Sequence, residues 1–259
     1  MSLIATSARV EARRLTRSGL LAGLLAVFAF FGLSGPAPAL FMPEILSAAA
    51  GTEQLTIEAA EAVPEDGIAL FNQSAMQLGL IFAVAVAVTS LSWDTRPGSS
   101  IFYRTRVRNL ARLTVPRLVV GWIAVLASYA VALLLAAGLT AVFLGPVSVG
   151  QLVVVGIASA VYLVMAMSIG YLIMTLTRRT AAAIAAAAVL MLVLPVLSQF
   201  EAIAPWAPTT LLAAGALGAA DMEGAVGLVV PAVSAMVVSA VCVLAANFAA
   251  GRQSLRREG

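Results

Sequence analysis

Histidine and lysine are both absent from this chain, so the groups that could do chemistry reduce to 12 carboxylates, 15 arginines and one thiol, Cys242. That set excludes several activities. A phosphate-cradling GxxxxGK[ST] loop needs a lysine, so the chain cannot act as a Walker-type ATPase by itself. Zinc sites of the HExxH kind, Ser-His and Cys-His nucleophile pairs and histidine proton relays all need a residue that does not occur. Cys242 lies in an apolar run with no second cysteine to pair with, and reads as a small core residue. No catalytic residue and no metal-ligating set is expected.

Two groups of polar residues remain. Asn72, Gln73 and Gln77 cluster at one-turn spacing within apolar sequence, and Ser198 and Gln199 stand together in another apolar stretch. Such amides and hydroxyls either line a translocation pathway or hydrogen-bond between helices, at about 1 kcal/mol per bond. Sequence alone leaves both readings open. The second group is the run Trp93, Asp94, Thr95, Arg96, Pro97, Gly98, Ser99, Ser100, which reads as the end of an apolar helix, a Pro-Gly turn and a Ser-capped start to a new helix. Tyr103 and Arg104 follow directly. Arg104, Arg108 and Arg112 then recur at i, i+4 and i+8, a spacing that puts them on one helix face suited to anionic headgroups.

The elements that must position these residues are membrane helices. Of the 259 residues, 62% are hydrophobic and 10% charged, whereas soluble domains run near 45–50% and about 25%. The charges are gathered into short segments separated by apolar runs, and roughly 20 residues suffice to cross a bilayer. The pattern predicts an all-α polytopic membrane protein in one domain, with six transmembrane helices at about residues 18–42, 67–93, 117–143, 149–177, 180–200 and 224–251. Residues 1–17, with Arg9, Arg13, Arg14 and Arg17 among apolar positions, suit an N-terminal interfacial helix. Pro36 and Pro38 predict a bend or an end to the first span. Leu118 to Thr177 is 60 residues without an Asp, Glu, Lys or Arg, and Gly145-Pro146 divides it into two helices. The stretch Ala37 to Leu40 also fits a signal-peptide cleavage region, but the apolar run continues through Met42, which favours a retained span.

Charge bias gives the orientation, because arginines near span ends stay cytoplasmic. All 15 fall on one side of the assignment. The loops facing the other side, 43–66 and 201–223, hold nine of the 12 acidic residues and no basic one. Both termini and the segment 94–116 between the second and third spans are therefore expected in the cytoplasm. No charged residue is expected at mid-membrane, which argues against an ion-coupled carrier and towards energy supplied by another subunit.

In its order of parts, nearly the whole chain resembles the membrane subunits of ABC transporters of the type-2 exporter family, the short six-span permeases. The resemblance rests on the helix EARRLTRSGLL, the long outer loop after the first span, the cytoplasmic segment with Asp94, Arg96, Gly98 and Ser99, and the outer segment PWAPTT. The wording DTRPGS, FYRTR and a later PR departs from the commoner glutamate- and lysine-rich version and looks like an actinobacterial-like variant. The resemblance implies a pair of permease chains, identical or homologous, with two ABC ATPase subunits docked on the cytoplasmic loops. Asp94 to Ser100, Tyr103 and Arg104 would be the ATPase-coupling residues. Read as pathway groups instead of interhelical contacts, Asn72, Gln73, Gln77, Ser198 and Gln199 would line the translocation route. This chain would bind no cofactor, ATP and Mg belonging to the partner ATPase; its other partner is membrane lipid, with no nucleic acid. The expected location is the bacterial plasma (inner) membrane. A non-transporting membrane scaffold or immunity protein and a passive pore share the same composition, and an ATPase partner separates them from a permease.

The orientation is testable by labelling. A cysteine placed at Glu58 reacts with an impermeant thiol reagent applied from outside intact cells, and one placed at Thr105 does not; the reverse pattern overturns the assignment.

Overall fold

A computed structural model describes residues 3–39, 41, 63–91, 110–197, 199–200, 203–217 and 222–255. Every regular element among them is helical: α1 (Leu3–Arg17), α2 (Leu20–Ser34), α3 (Pro64–Ser74), a π-helical turn (Ala75–Gly79), α4 (Leu80–Ser90), α5 (Ala111–Phe143), α6 (Val149–Thr177), α7 (Thr180–Leu197), two 3-10 helices (Ala204–Trp206 and Pro208–Ala216), α8 (Met222–Gly227) and α9 (Val229–Leu255). Five stretches are long and apolar enough to cross a membrane: Leu20–Ala39, Pro64–Ser90, Ala111–Phe143, Val149–Thr177 and Gly224–Ala250. By length and composition this is a multi-pass helical membrane protein. At the place of the expected fifth span, α7 is shorter. Its 18 residues reach about 27 Å at 1.5 Å per residue, just under a hydrocarbon core of about 30 Å.

The organising element is α6, which packs on α9, α4, α7, α5 and the second 3-10 helix. Met165 to Tyr171 are buried without a break, the mark of a helix enclosed on all sides rather than amphipathic. Its ends are set locally. The Ser148 side chain accepts from the Gln151 N–H at 3.4 Å, capping the start. At the other end Arg178 adopts a left-handed conformation with φ 54° and its N–H donates to the Met174 carbonyl at 2.9 Å, so a two-residue turn leads into α7. By contrast α9 shows an apolar flank of Val229, Val233, Met236, Val237, Val241, Leu244 and Phe248. Such a face has no place against water.

On the other side of the molecule α2 packs along α5, and α1 packs beside it. Gly32 makes that approach possible: a Cβ there would lie 2.6 Å from the Ala132 carbonyl oxygen. The amphipathic α1 buries Ser7, Glu11 and Leu15, spaced i, i+4 and i+8, against the protein while Leu3, Ile4 and Val10 stay exposed.

Several boundaries differ from expectation. The second span begins at Pro64, not 67, so Glu65 and Asp66 leave the outer loop and join the first helical turn. There they face the positive end of the helix dipole, and the Asp66 side chain accepts from the Val63 N–H at 3.3 Å. The third span starts as helix at Ala111 and runs through Pro116, so residues 111–116 of the expected segment 94–116 belong to α5. Pro116, sixth in the helix, has no N–H to donate to the Arg112 carbonyl, so one rung of the ladder is missing there. The fifth helix stops at Leu197, short of 200. The last span is interrupted at Leu228 and then continues to Leu255, taking Arg252 into the helix. Gly145, with φ 114°, and Pro146 separate α5 from α6 as expected, and α2 stops at Ser34 before Pro36, with helix resuming at 37–39. Most of loop 43–66, residues 94–109 and Ser198 lie outside the described residues.

The Gly32 contact predicts that Gly32→Ala lowers the thermal stability of the purified protein in mild detergent, by about 1–3 kcal/mol for a forced overpacking. Gly23→Ala, on the same helix with nothing within 4 Å of the added Cβ, leaves stability unchanged or slightly raised. Equal effects would show that backbone approach at Ala132 is not what seats α2.

Candidate functional site

Asn72 sits at the end of α3 with 1% of its surface exposed. Its Oδ1 accepts from the Tyr129 hydroxyl at 2.9 Å and from Ser159 Oγ at 2.8 Å, and its Nδ2 donates to the Leu212 carbonyl at 3.3 Å. One carboxamide thereby joins α3, α5, α6 and the second 3-10 helix. Tyr129 is held for this contact by aromatic neighbours, stacked on Phe71 at 5.7 Å and met edge-on by Phe28 at 6.0 Å. Nearby, Gln151 Nε2 donates to the Gly215 carbonyl at 3.4 Å. These bonds satisfy part of the backbone of a 3-10 segment that buries Thr209, Leu211, Ala214 and Gly215. Non-helical backbone at membrane depth is tolerated only where protein or a cavity surrounds it.

Gln73 and Gln77 point the other way. Both are exposed and both line a cavity of about 760 Å³ bounded by α3, the π-helical turn, α4, α6, α7 and the second 3-10 helix. The π-helical turn, Ala75–Gly79, lies between the two glutamines and on to the next turn; π-turns within α-helices are frequent at functional sites. A Cβ on Gly79 would come within 2.7 Å of the Phe28 ring, so the turn also lets α2 approach. Thr209 and Thr210 line it as well; Thr210 Oγ1 donates to the Ala207 carbonyl at 2.8 Å, and Thr209 Oγ1 is buried inside the protein without a hydrogen-bond partner. Met76, Ile81, Val84, Met191, Leu192 and Pro195 make most of the remainder. No Asp, Glu, Lys or Arg among the described residues lines it. Among the described residues no group of three His, Cys, Asp or Glu comes together to hold a metal ion.

Of the sequence-predicted pathway residues, then, Asn72 is an interhelical hydrogen-bond centre, Gln73 and Gln77 face the cavity, and Gln199 is exposed beyond α7 without lining it. Ser198 and all the expected coupling residues, Asp94, Thr95, Arg96, Pro97, Gly98, Ser99, Ser100, Tyr103 and Arg104, lie outside the described residues. Tyr129 at the Asn72 centre and Tyr162, Thr209 and Thr210 along the cavity were not singled out from sequence. Only the threonines had a signal, in the motif PWAPTT.

A second polar group ties α1 and α9 to the α5 and α6 ends that carry Arg117 and Arg178. Ser7 Oγ donates to the Leu113 carbonyl at 2.6 Å, and Arg117 Nε donates to Ser7 Oγ at 3.3 Å. Glu11 is fully buried, taking Arg14 Nε at 2.9 Å and Nη2 at 2.5 Å on one carboxylate oxygen. Asn247 of α9 accepts from the Tyr171 hydroxyl at 3.1 Å and from Thr114 Oγ1 at 3.4 Å. The one acid in α1 was legible as the i−3 partner of Arg14, though not its burial.

The Asn72 centre yields a stability prediction. Asn72→Leu leaves two hydroxyls and a carbonyl without their partner and costs about 2 kcal/mol, read as a lower melting temperature in detergent. Tyr129→Phe removes one bond and costs less, about 0.6 kcal/mol. The double variant is less destabilised than the sum of the two, since the residues share a bond; full additivity would mean that the hydrogen bond contributes nothing. No family model, curated protein or solved structure matches the chain.

Proposed function

We propose that this chain is the membrane-spanning permease subunit of an ATP-driven ABC exporter in a bacterial plasma membrane. In this reading it crosses the membrane six times, α7 completing the set, with both termini cytoplasmic. It pairs with a second permease chain, identical or homologous, and two separate ABC ATPase subunits dock on its cytoplasmic side, where they bind ATP and Mg.

The observation that carries the reading is the pair Gln73 and Gln77, exposed on a cavity wall inside a span. Gln73 lies nine residues beyond Pro64, about 13 Å along the helix, and Gln77 is a turn deeper. Carboxamides at that depth are costly against lipid tails and are accounted for by a hydrated passage or a partner chain. The order of the sequence features that resemble type-2 exporter subunits supports the same reading, as does a cavity wall that carries no charge among the described residues, which suits a transporter energised by another subunit rather than by a bound ion.

The connection between ATPase and passage runs through α4 and α5. These helices end and begin at Ser90 and Ala111, on either side of the segment that holds Asp94, Arg96 and Gly98. A push on that segment moves α5 as a single 33-residue helix, and α5 carries Tyr129, which holds Asn72 one residue before Gln73. Charge-assisted bonds from Asp94 and Arg96 across the ATPase interface would transmit the push.

Purification of the tagged chain from its native membrane in mild detergent, followed by mass spectrometry, recovers a P-loop ATPase in near-equal amount, and Arg96→Glu abolishes that recovery while leaving the chain inserted. Absence of an ATPase under conditions that preserve other membrane complexes overturns the permease in favour of a scaffold or a passive pore.

A further inference from the structure

The wall of the cavity is sorted by polarity along its length. Gln73 and Thr209 stand near Asn72, the level at which Leu212 meets α3. From there the wall runs along Ile81 and Val84 of α4 and Ala188 of α7. Val84 lies 11 residues beyond Gln73, about 16 Å along the helix axis. A single amphiphile can span that distance, and a cavity of about 760 Å³ falls within the roughly 300–1,000 Å³ that takes a small-molecule ligand.

Charge decides the class of molecule. Among the described residues no carboxylate or guanidinium faces the cavity, so a charged headgroup would lose its hydration with none of them to pair it. Hydroxyl and amide groups lose less, and the wall returns their hydrogen bonds. Gln73 and Gln77, both exposed on the wall, each offer a donor pair and an acceptor.

From this arrangement we infer that the cavity binds an uncharged amphiphile, with a hydroxyl- or amide-bearing head at Gln73 and Gln77 and an apolar chain along Ile81, Val84 and Ala188. The inference rests on the reading of this cavity as the passage of a permease, and direct binding separates the two. Transport needs the ATPase, and binding to the isolated chain does not.

The test uses the full chain in lipid nanodiscs without nucleotide or ATPase, and a monoacylglycerol carrying a photoactivatable diazirine on a 12-carbon chain. Illumination labels α4 and α7 at the cavity. Monolauroylglycerol competes, whereas dodecanoate and dodecyltrimethylammonium, of the same chain length and opposite charges, do not. Gln73→Leu removes an exposed amide from the wall, so its melting temperature stays equal or rises while competition weakens about three- to ten-fold, the loss of one hydrogen bond. Ala188→Phe fills the apolar end and abolishes the labelling in a chain that elutes normally as a monodisperse peak. Labelling that survives Ala188→Phe, or equal competition by the charged amphiphiles, overturns the inference. Cavity labelling as described, in a chain that recovers no ATPase, would sink the permease and leave the ligand class standing.

Discussion

Inside a bilayer a polar group finds its partner in the protein or goes without, and Asn72 is where this chain meets that constraint most fully. Three bonds on one carboxamide fix the relative positions of the second span, α5, α6 and the 3-10 segment. The 3-10 segment is tied to the helices because Asn72 and Gln151 take up two of its carbonyls. With that segment in place the cavity has a wall; without it α3 and α7 would enclose nothing. Asn72 therefore builds the cavity without entering it. The residue beside it, Gln73, turns to the other side and does enter.

The gross plan was legible because its cause is compositional. Apolar runs of spanning length, separated by arginine clusters and the Gly145-Pro146 break, placed α5 and α6 to within a few residues, and α6 to the residue. What escaped were effects of tertiary context. The start of α3 at Pro64 depends on acidic residues stabilising a helix end, a feature that looks like loop when acidity is read only as a sign of the outer side. Asn72 and Gln73 are chemically near-equivalent neighbours, and nothing in their spacing distinguishes a buried hydrogen-bond centre from a cavity wall. Their separation requires knowing where Tyr129 and Ser159 sit, 57 and 87 residues away. Glu11 was hidden for a similar reason. Among four arginines it reads as one more surface charge, and only the packing of α1 on α5 buries it.

That burial changes what α1 is. A helix lying free on headgroups would exchange its polar face with water and lipid, whereas α1 is seated by Ser7 bonded to Leu113 and reached by Arg117, with a carboxylate sealed between them and Leu15. The same end of α5 meets α9 through Thr114 and Asn247. Two helices remote in sequence, α1 and α9, therefore converge on the first two turns of α5, the turns that follow the segment bearing Asp94 and Arg96. Motion entering there is shared among α1, α5 and α9 instead of bending α5 alone.

The π-helical turn, Ala75–Gly79, has a meaning in terms of descent. Such a turn holds one residue more than the regular ladder needs, and one residue in an α-helix corresponds to a rotation of about 100°. The chain on the Pro64 side is thereby turned relative to α4, which brings Asn72 round to Tyr129 and Ser159 while Val84 and Val88 keep their contact with Gly170 of α6. A one-residue insertion into an ordinary apolar span is enough to create this state. A single deletion in the same five positions would restore a plain helix and rotate the amide centre away from its partners. Among relatives of this chain, length at 75–79 would then mark the presence of the buried centre more faithfully than the identity of any residue within it.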